Sequence, residues 1–331
     1  MTMNGGVLGL ALDSGTNFGR NVTVAASATV NSDRATAGAG VTHTLGTLSI
    51  GAFTLSITAG SNVTSGTAGV TFGTTTLSAN SVVLSTAAST NLTLGALGGN
   101  FTFTKSGSGQ LTLNTAANGN RTSAAVTLSA GTMRLGVATA LGTTGVPLQF
   151  NGGSLELANN SATTFGYNTT VGGSVTIASD RAAAGAGVTH TLGTLNMGAF
   201  TLSIIAGTNV TSGTAGVTFG ATTLTASTAV FDTAANTNLT LGALSGNFSV
   251  TKQGTGILTL NTASSRNALT TINGGVVKLG SATGLGSGSI TVNAATIELV
   301  NVAITNDLTL NSGATLLGSG GTSPAYSKSN F

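Results

Sequence analysis

The stretch Phe101–Gly136, FTFTKSGSGQLTLNTAANGNRTSAAVTLSAGTMRLG, alternates apolar and polar residues in short bursts and breaks each burst with Gly, Asn or Ser. Period-2 alternation turns one face of a strand toward a core and the other toward solvent. The intervening Gly, Asn and Ser supply positive φ and local side-chain hydrogen bonds for tight turns. The stretch therefore reads as strand, Gly-x-Gly turn, strand, Asn-rich loop, strand and a Gly-led fourth strand. A close copy, FSVTKQGTGILTLNTASSRNALTTINGGVVKLG, occupies Phe248–Gly280.

That copy belongs to a longer repeat. Asn4-Gly5-Gly6 returns as Asn151-Gly152-Gly153, His43 as His190 and Lys105 as Lys252, each 147 positions on. A few deletions follow, so that Leu141 matches Leu285, and VNAATIEL around Asn293 opens a partial third copy. The expected organisation is one unit over residues 1–150, a second over 151–292, a partial third over 293–318 and an irregular tail over 319–331. The same alternation marks FTLSI (Phe53–Ile57), VTF (Val70–Phe72), LTL (Leu92–Leu94) and VTL (Val126–Leu128) as strands. No apolar stripe of helical period and length is present.

Many three-to-five-residue strands suit a sandwich, a propeller or a solenoid. Sandwiches and barrels want longer strands and an aromatic core, whereas this chain has twelve Phe, two Tyr and no Trp. A parallel β-solenoid fits better, since its narrow core stacks aliphatic side chains and its turns stack Asn, Ser and Thr. At roughly 20–25 residues per coil, each unit would hold about six or seven coils.

Composition agrees. The chain has 331 residues with ten Lys and Arg, seven Asp and Glu and a net charge of +3. Like charges stacked along a ladder repel, so a solenoid tolerates few of them. The 40% apolar content argues against disorder, which goes with low hydrophobicity and high net charge. No cluster of Lys and Arg offers a surface for nucleic acid. No charge occurs between Arg34 and Lys105, yet Thr, Ser, Asn and Gly interrupt every apolar run long before the ~18 residues a spanning helix needs. The opening MTMNGGVLGLALDSG lacks a basic segment and a long enough apolar run for a signal peptide. With no Cys, a disulfide framework and a thiolate metal site are excluded, which suits a chain exported unfolded.

SDRATAGAGVTHTLGTL (Ser32–Leu48) gathers Asp33, Arg34 and His43, residue types from which active sites are built, and recurs at Ser179–Leu195 with one position changed. A structural turn is duplicated with its scaffold, whereas a whole active site seldom is. Asp33 with Arg34 therefore reads as a solvated turn pair and His43 as an outward strand residue. The seven acids (Asp13, Asp33, Glu156, Asp180, Asp232, Glu298 and Asp307) are spread along the chain, and Asp33 with Asp180 are the clear repeat equivalents. Polysaccharide lyases and hydrolases need several carboxylates on one face, and calcium-binding nonapeptide solenoids need an Asp in every short repeat. No catalytic, cofactor or metal site is expected. Lys105 and Lys252 read as solvated turn lysines. The Asn-x-Thr sequons at Asn21, Asn62, Asn91 and Asn209 are chance matches in a chain rich in Asn and Thr.

The duplicated motif resembles the passenger-associated repeat of autotransporters, also called the autotransporter-associated β-strand repeat. The matching residues are Lys105, Gly107, Gly109, Leu111, Leu113, Gly131 and Leu135-Gly136, and in the second copy Lys252, Gly254, Gly256, Leu258, Leu260, Gly275 and Leu279-Gly280. The usual Tyr-Thr-Gly-Gly loop of that family is replaced by Asn118–Arg121 and by Ser265–Ala268. The resemblance implies a right-handed β-helix, exported to the extracellular space or the bacterial outer-membrane surface as a passenger fragment. There it would serve as an adhesin, stalk or matrix component that meets a host or environmental surface, glycans or other copies of itself. Neither nucleic acid nor membrane insertion of this segment is expected, while end-to-end stacking of open coil ends into filaments is. Two other readings remain open: a Thr-rich ice-binding solenoid and a carbohydrate-active β-helix enzyme.

Overall fold

The computed structural model describes residues 1–321, among which all regular structure is β-strand. The described strands pair in parallel, and the chain winds as a β-solenoid of about 14 turns. Two compact units divide it: Met1–Asn159 with Phe165–Tyr167, and Asn160–Thr164 with the residues from Asn168 on.

The first unit is a three-sided coil. One side stacks Thr2–Asn4, Val22–Ala26, Leu48–Ile50, Thr75–Leu77 and Leu97–Gly98. The second side stacks seven strands from Val7–Ala11 to Pro147–Phe150, and the third stacks six from Thr42–Thr44 to Ser154–Ala158. The second unit has four strands on one side, from Asn168–Val171 to Leu244–Ser245, and seven on each of the others. Of the expected tail, the strand Thr315–Ser319 holds the first residue, and 322–331 lie outside the described residues.

Coil length varies more than expected. It is 22 residues from Leu8 to Val30, 27 from Val30 to Ile57 and 29 from Leu55 to Leu84. It then falls to 21 from Leu84 to Lys105, 23 to Leu128 and 22 to Phe150. The extra residues of the long coils form a small side sheet, Gly38–Ala39 with Val63–Ser65. After Leu97–Gly98 the first side has no further strand in this unit, because residues 114–125 carry no apolar alternation.

The core is a set of columns one residue wide. Val70, Leu92, Leu111, Met133 and Leu155 stack in register, as do Phe72, Leu94, Leu113, Leu135 and Leu157. All ten are buried. Leu258 and Leu260 hold the corresponding places in the second unit, following Leu239 and Leu241. One strand starts later than the alternation suggests. Phe101 and Thr102 lie at a corner, and the strand runs Phe103–Ser106. The corner is held from outside the strand: Thr102 N donates to Asn80 Oδ1 at 2.9 Å, and Phe101 O accepts from Arg121 Nη1 at 3.0 Å.

Candidate functional site

The Asp-Arg-His stretch braces the long coils. Asp33 Oδ1 accepts the backbone N–H of Arg34 at 2.8 Å and of Asn62, one coil on, at 3.0 Å. Asn62 Nδ2 donates to Arg34 O at 2.8 Å. Arg34 folds back, with Nε donating to Thr36 O at 3.1 Å, Nη1 to Ala39 O at 3.0 Å and Nη2 lying 3.5 Å from Asp13 Oδ1. The outward placement of His43 is corrected: the ring is fully buried and heads the column that continues through Val70 and Leu92. Its Nε2 lies 3.0 Å from Asp33 O. A carbonyl can only accept, so Nε2 carries the proton. The solvated turn pair is corrected as well, since Asp33 and Arg34 are half-buried and tied to backbone.

The bracing recurs in the second unit. Asn209 N donates to Asp180 Oδ1 at 2.9 Å, Asn209 Nδ2 to Arg181 O at 2.7 Å, and His190 Nε2 lies 2.9 Å from Asp180 O. Asp180 and His190 are both fully buried, and burial pushes the His190 imidazole below its ordinary range. In each copy the imidazole is oriented by a main-chain carbonyl and the carboxylate accepts the backbone N–H of an asparagine on the next coil. The aspartate main chain and the histidine ring are thus tied together in each copy, and what the arrangement does is hold a projecting loop.

Lys105 and Lys252 are the larger correction. Lys105 stands in the inward column between Leu84 and Leu128 and has no exposed surface. Its Nζ donates to Ser106 O at 2.7 Å, Gly107 O at 2.8 Å and Ala130 O, on the next coil, at 3.1 Å. Lys252 sits likewise between Phe231 and Ile272, and its Nζ donates to the carbonyls of Gln253, Gly254 and Gly274. The ammonium thus caps the carbonyls of a corner that no sheet satisfies.

The motif glycines make that corner possible. Gly107 has φ 70 and Gly131 has φ 69, in the left-handed region that favours glycine. A Cβ on Gly107 would meet Thr86 O at 2.2 Å, and one on Gly131 would meet both Gly107 O and Gly109 O at 2.3 Å. Gly109 is as tight, with Ala87 O 2.2 Å from its absent Cβ, and Gly254, Gly256 and Gly275 repeat the packing.

Burial lowers both lysines to about 8 from their ordinary value. Between that value and ~10.4 the unfolded chain holds more protons than the folded one, so stability rises with pH across the window. The penalty for the buried charge is fully present below pH 8. The expected gain from pH 7 to 10 is on the order of 3 kcal/mol per lysine, read as an upward shift of the urea midpoint. Lys105→Met with Lys252→Met should flatten that slope, and a midpoint that falls over the same window would contradict the assignment.

Two arginines missed by the sequence reading do comparable work. Arg121 and Arg266 are among the largest fully buried side chains. Arg121 Nη1 donates to Gly99 O at 2.6 Å and Phe101 O at 3.0 Å, and its Nε donates to Leu141 O at 3.0 Å. It spans three successive coils where the first side has lost its strand. The guanidinium carbon lies 5.5 Å from the centre of the Phe103 ring. Arg266 reaches Phe248 O, Leu269 O, Thr270 Oγ1 and Leu285 O in the same fashion. Tyr167 adds a fastening in the first unit, its hydroxyl donating to Ala138 O at 2.7 Å and accepting from Leu141 N at 3.0 Å.

The exterior is hydroxyl and amide. On the third side of the first unit Thr44, Thr71, Thr93 and Thr112 stack outward in register, followed by Arg134 and Glu156. Thr191, Thr218, Thr240, Thr259, Lys278 and Glu298 repeat this order. Arg134 pairs with Glu156, and Lys278 Nζ lies 3.2 Å from Glu298 Oε1. Glu156 and Glu298 are therefore a second pair of repeat equivalents, hidden in the sequence by the deletions. The companion column beside the first threonines runs Thr42, Gly69, Asn91, Gln110, so paired Thr-x-Thr steps are not sustained on this side. Among the described residues no three of His, Cys, Asp and Glu converge as metal ligands.

Fold and interior together define a parallel β-solenoid whose corners are stapled by buried lysine and arginine. No family model, curated protein or solved structure matches the chain.

Proposed function

We propose that the chain is a non-enzymatic structural and adhesive module of a large autotransporter-like protein, working outside the cell. The supporting observation is where the cations go. Lys105, Lys252, Arg121 and Arg266 are all buried, and each bridges backbone carbonyls of successive coils. The residues with most chemical reach in the duplicated motif are thereby committed to rigidity. The exterior offers Thr, Ser and Asn to a glycan, another surface or a second copy.

The test is incubation of the chain with a broad polysaccharide panel, read for reducing ends and unsaturated products, alongside adhesion of coated beads to glycan-bearing surfaces. Adhesion without turnover is the expected result. Cleavage that disappears in Asp180→Asn or Asp232→Asn would replace this reading with that of a carbohydrate-active enzyme.

A further inference from the structure

The second unit carries a cleft of about 310 Å³ whose lining includes Val210, Thr211, Ser212, Thr214, Ala235 and Asn236. Its origin is a mismatch of coil lengths. The coil from Leu202 to Phe231 takes 29 residues and the next, from Phe231 to Lys252, takes 21. The longer coil builds the side sheet Gly185–Ala186 with Val210–Ser212, which stops at two strands. The shorter coil turns in below it at Asn236, whose φ is 57. A ledge therefore overhangs a floor.

We infer that this cleft is a binding site for an uncharged saccharide, an inference that rests on the adhesive reading above and gives it a place and a ligand class. The volume falls at the low end of the ~300–1,000 Å³ of small-ligand sites, so the occupant is small. None of the lining side chains is charged, which disfavours phosphate, sulfate and acidic sugars. Three exposed hydroxyls, Thr211, Ser212 and Thr214, face the same space as the Asn236 amide, and together they can donate to and accept from sugar hydroxyls. Ala235 and Val210 supply the apolar floor and wall for a ring face.

An added peptide strand suits the cleft less well. The free edge is only the three residues Val210–Ser212, and Gly213, at φ 68, turns the chain away. Val210 N is already bonded to Gly207 O at 3.1 Å. Strand addition draws its affinity from main-chain hydrogen bonds, and this edge has few to give.

The frame occurs in the first unit too. Gly38–Ala39 pairs with Val63–Ser65, coils of 29 and 21 residues follow one another, and Ser89 takes φ 55 where Asn236 takes 57. Thr64, Ser65 and Thr67 stand at the positions of Thr211, Ser212 and Thr214. Two sites per chain follow, with Ser89 replacing the amide in one of them.

The experiment titrates the full chain with neutral cello-, malto- and chito-oligosaccharides, with an acidic oligosaccharide and a Val/Thr-rich peptide as comparison arms, by calorimetry. The expected result is binding of a neutral oligosaccharide at two sites. Thr211→Val with Thr214→Val and Asn236→Gly, all at exposed or turn positions, should weaken the second-unit site at least tenfold while the melting curve stays put. Thr64→Val with Thr67→Val should do the same to the other. Unchanged neutral-sugar binding in these variants overturns the site but leaves adhesion standing elsewhere on the surface. Binding of no neutral sugar, or of the acidic sugar or the peptide alone, overturns the ligand class.

Discussion

Arg121→Ala is expected to lower the free energy of unfolding by about 4 kcal/mol, and Arg266→Ala by a similar amount. The guanidinium ties the coil before Arg121 to the coil after it on the side where the strand stack has ended. Its removal strips the charged donor from Gly99 O, Phe101 O and Leu141 O. A hydrogen bond to a charged group is worth roughly 1.5–3 kcal/mol net, so the sum before relaxation exceeds the expected loss. Two effects reduce it: the variant no longer desolvates a cation, and water can enter the vacated space to serve the carbonyls. Burial holds Arg121 down at about 10, below its ordinary value and still charged at neutral pH. Arg121→Lys should rescue little, since one ammonium cannot reach both the coil before and the coil after as a planar fork does. Urea titrations followed by circular dichroism measure both. A loss under ~1 kcal/mol would mean the loops on that side are held by something other than the guanidinium.

How much of this was written in the alternation is clearest at Lys105 and His43. In FTFTKS, Phe101, Phe103 and Lys105 share one parity, and in VTHTL so do Val41, His43 and Leu45. Period-2 geometry alone sends Lys105 inward with Phe103, and His43 to the side of Leu45. Residue polarity argues the opposite, and polarity gave the wrong answer. The reason is that a solenoid corner leaves carbonyls without sheet partners, and a long cation inside the coil can satisfy them, at the expense of its own hydration. The stacking of leucines, the parallel strands and the approximate coil length were legible, because each depends on local pattern. Arg121 and Arg266 were not. They lie in segments with no periodicity, and the carbonyls they bind come from coils about twenty residues before and after. An arginine at one place in both copies of an otherwise uncharged loop was the available signal. The cleft was illegible for a different reason: it arises from the difference between two coil lengths, which only the strand register reveals.

Leu111→Asp tests the interior from the other direction. Leu111 is fully buried between Leu92 and Met133, in a column one side chain wide. The substitution removes an apolar side chain worth roughly 1.5–3 kcal/mol of burial and puts a carboxylate where no donor awaits it. The expected destabilisation at pH 7 is on the order of 5 kcal/mol, and Leu258→Asp, between Leu239 and Val277, should match it. The deficit has a sign in pH. A carboxyl with no ion partner in an apolar column titrates above its unfolded value of ~3.9, so the folded variant takes up a proton first. Its penalty is therefore complete at neutral pH and shrinks as pH falls toward 4, measured against the unsubstituted chain at the same pH. Leu111→Asn, which cannot take up that proton, should keep a constant deficit over the same range and separates lost packing from buried charge. An Asp variant as stable as its parent at pH 7 would place Leu111 on the outside of the coil. A deficit that does not narrow in acid would show that the coil opens locally and lets the carboxylate reach water, so that the columns are not continuous from coil to coil.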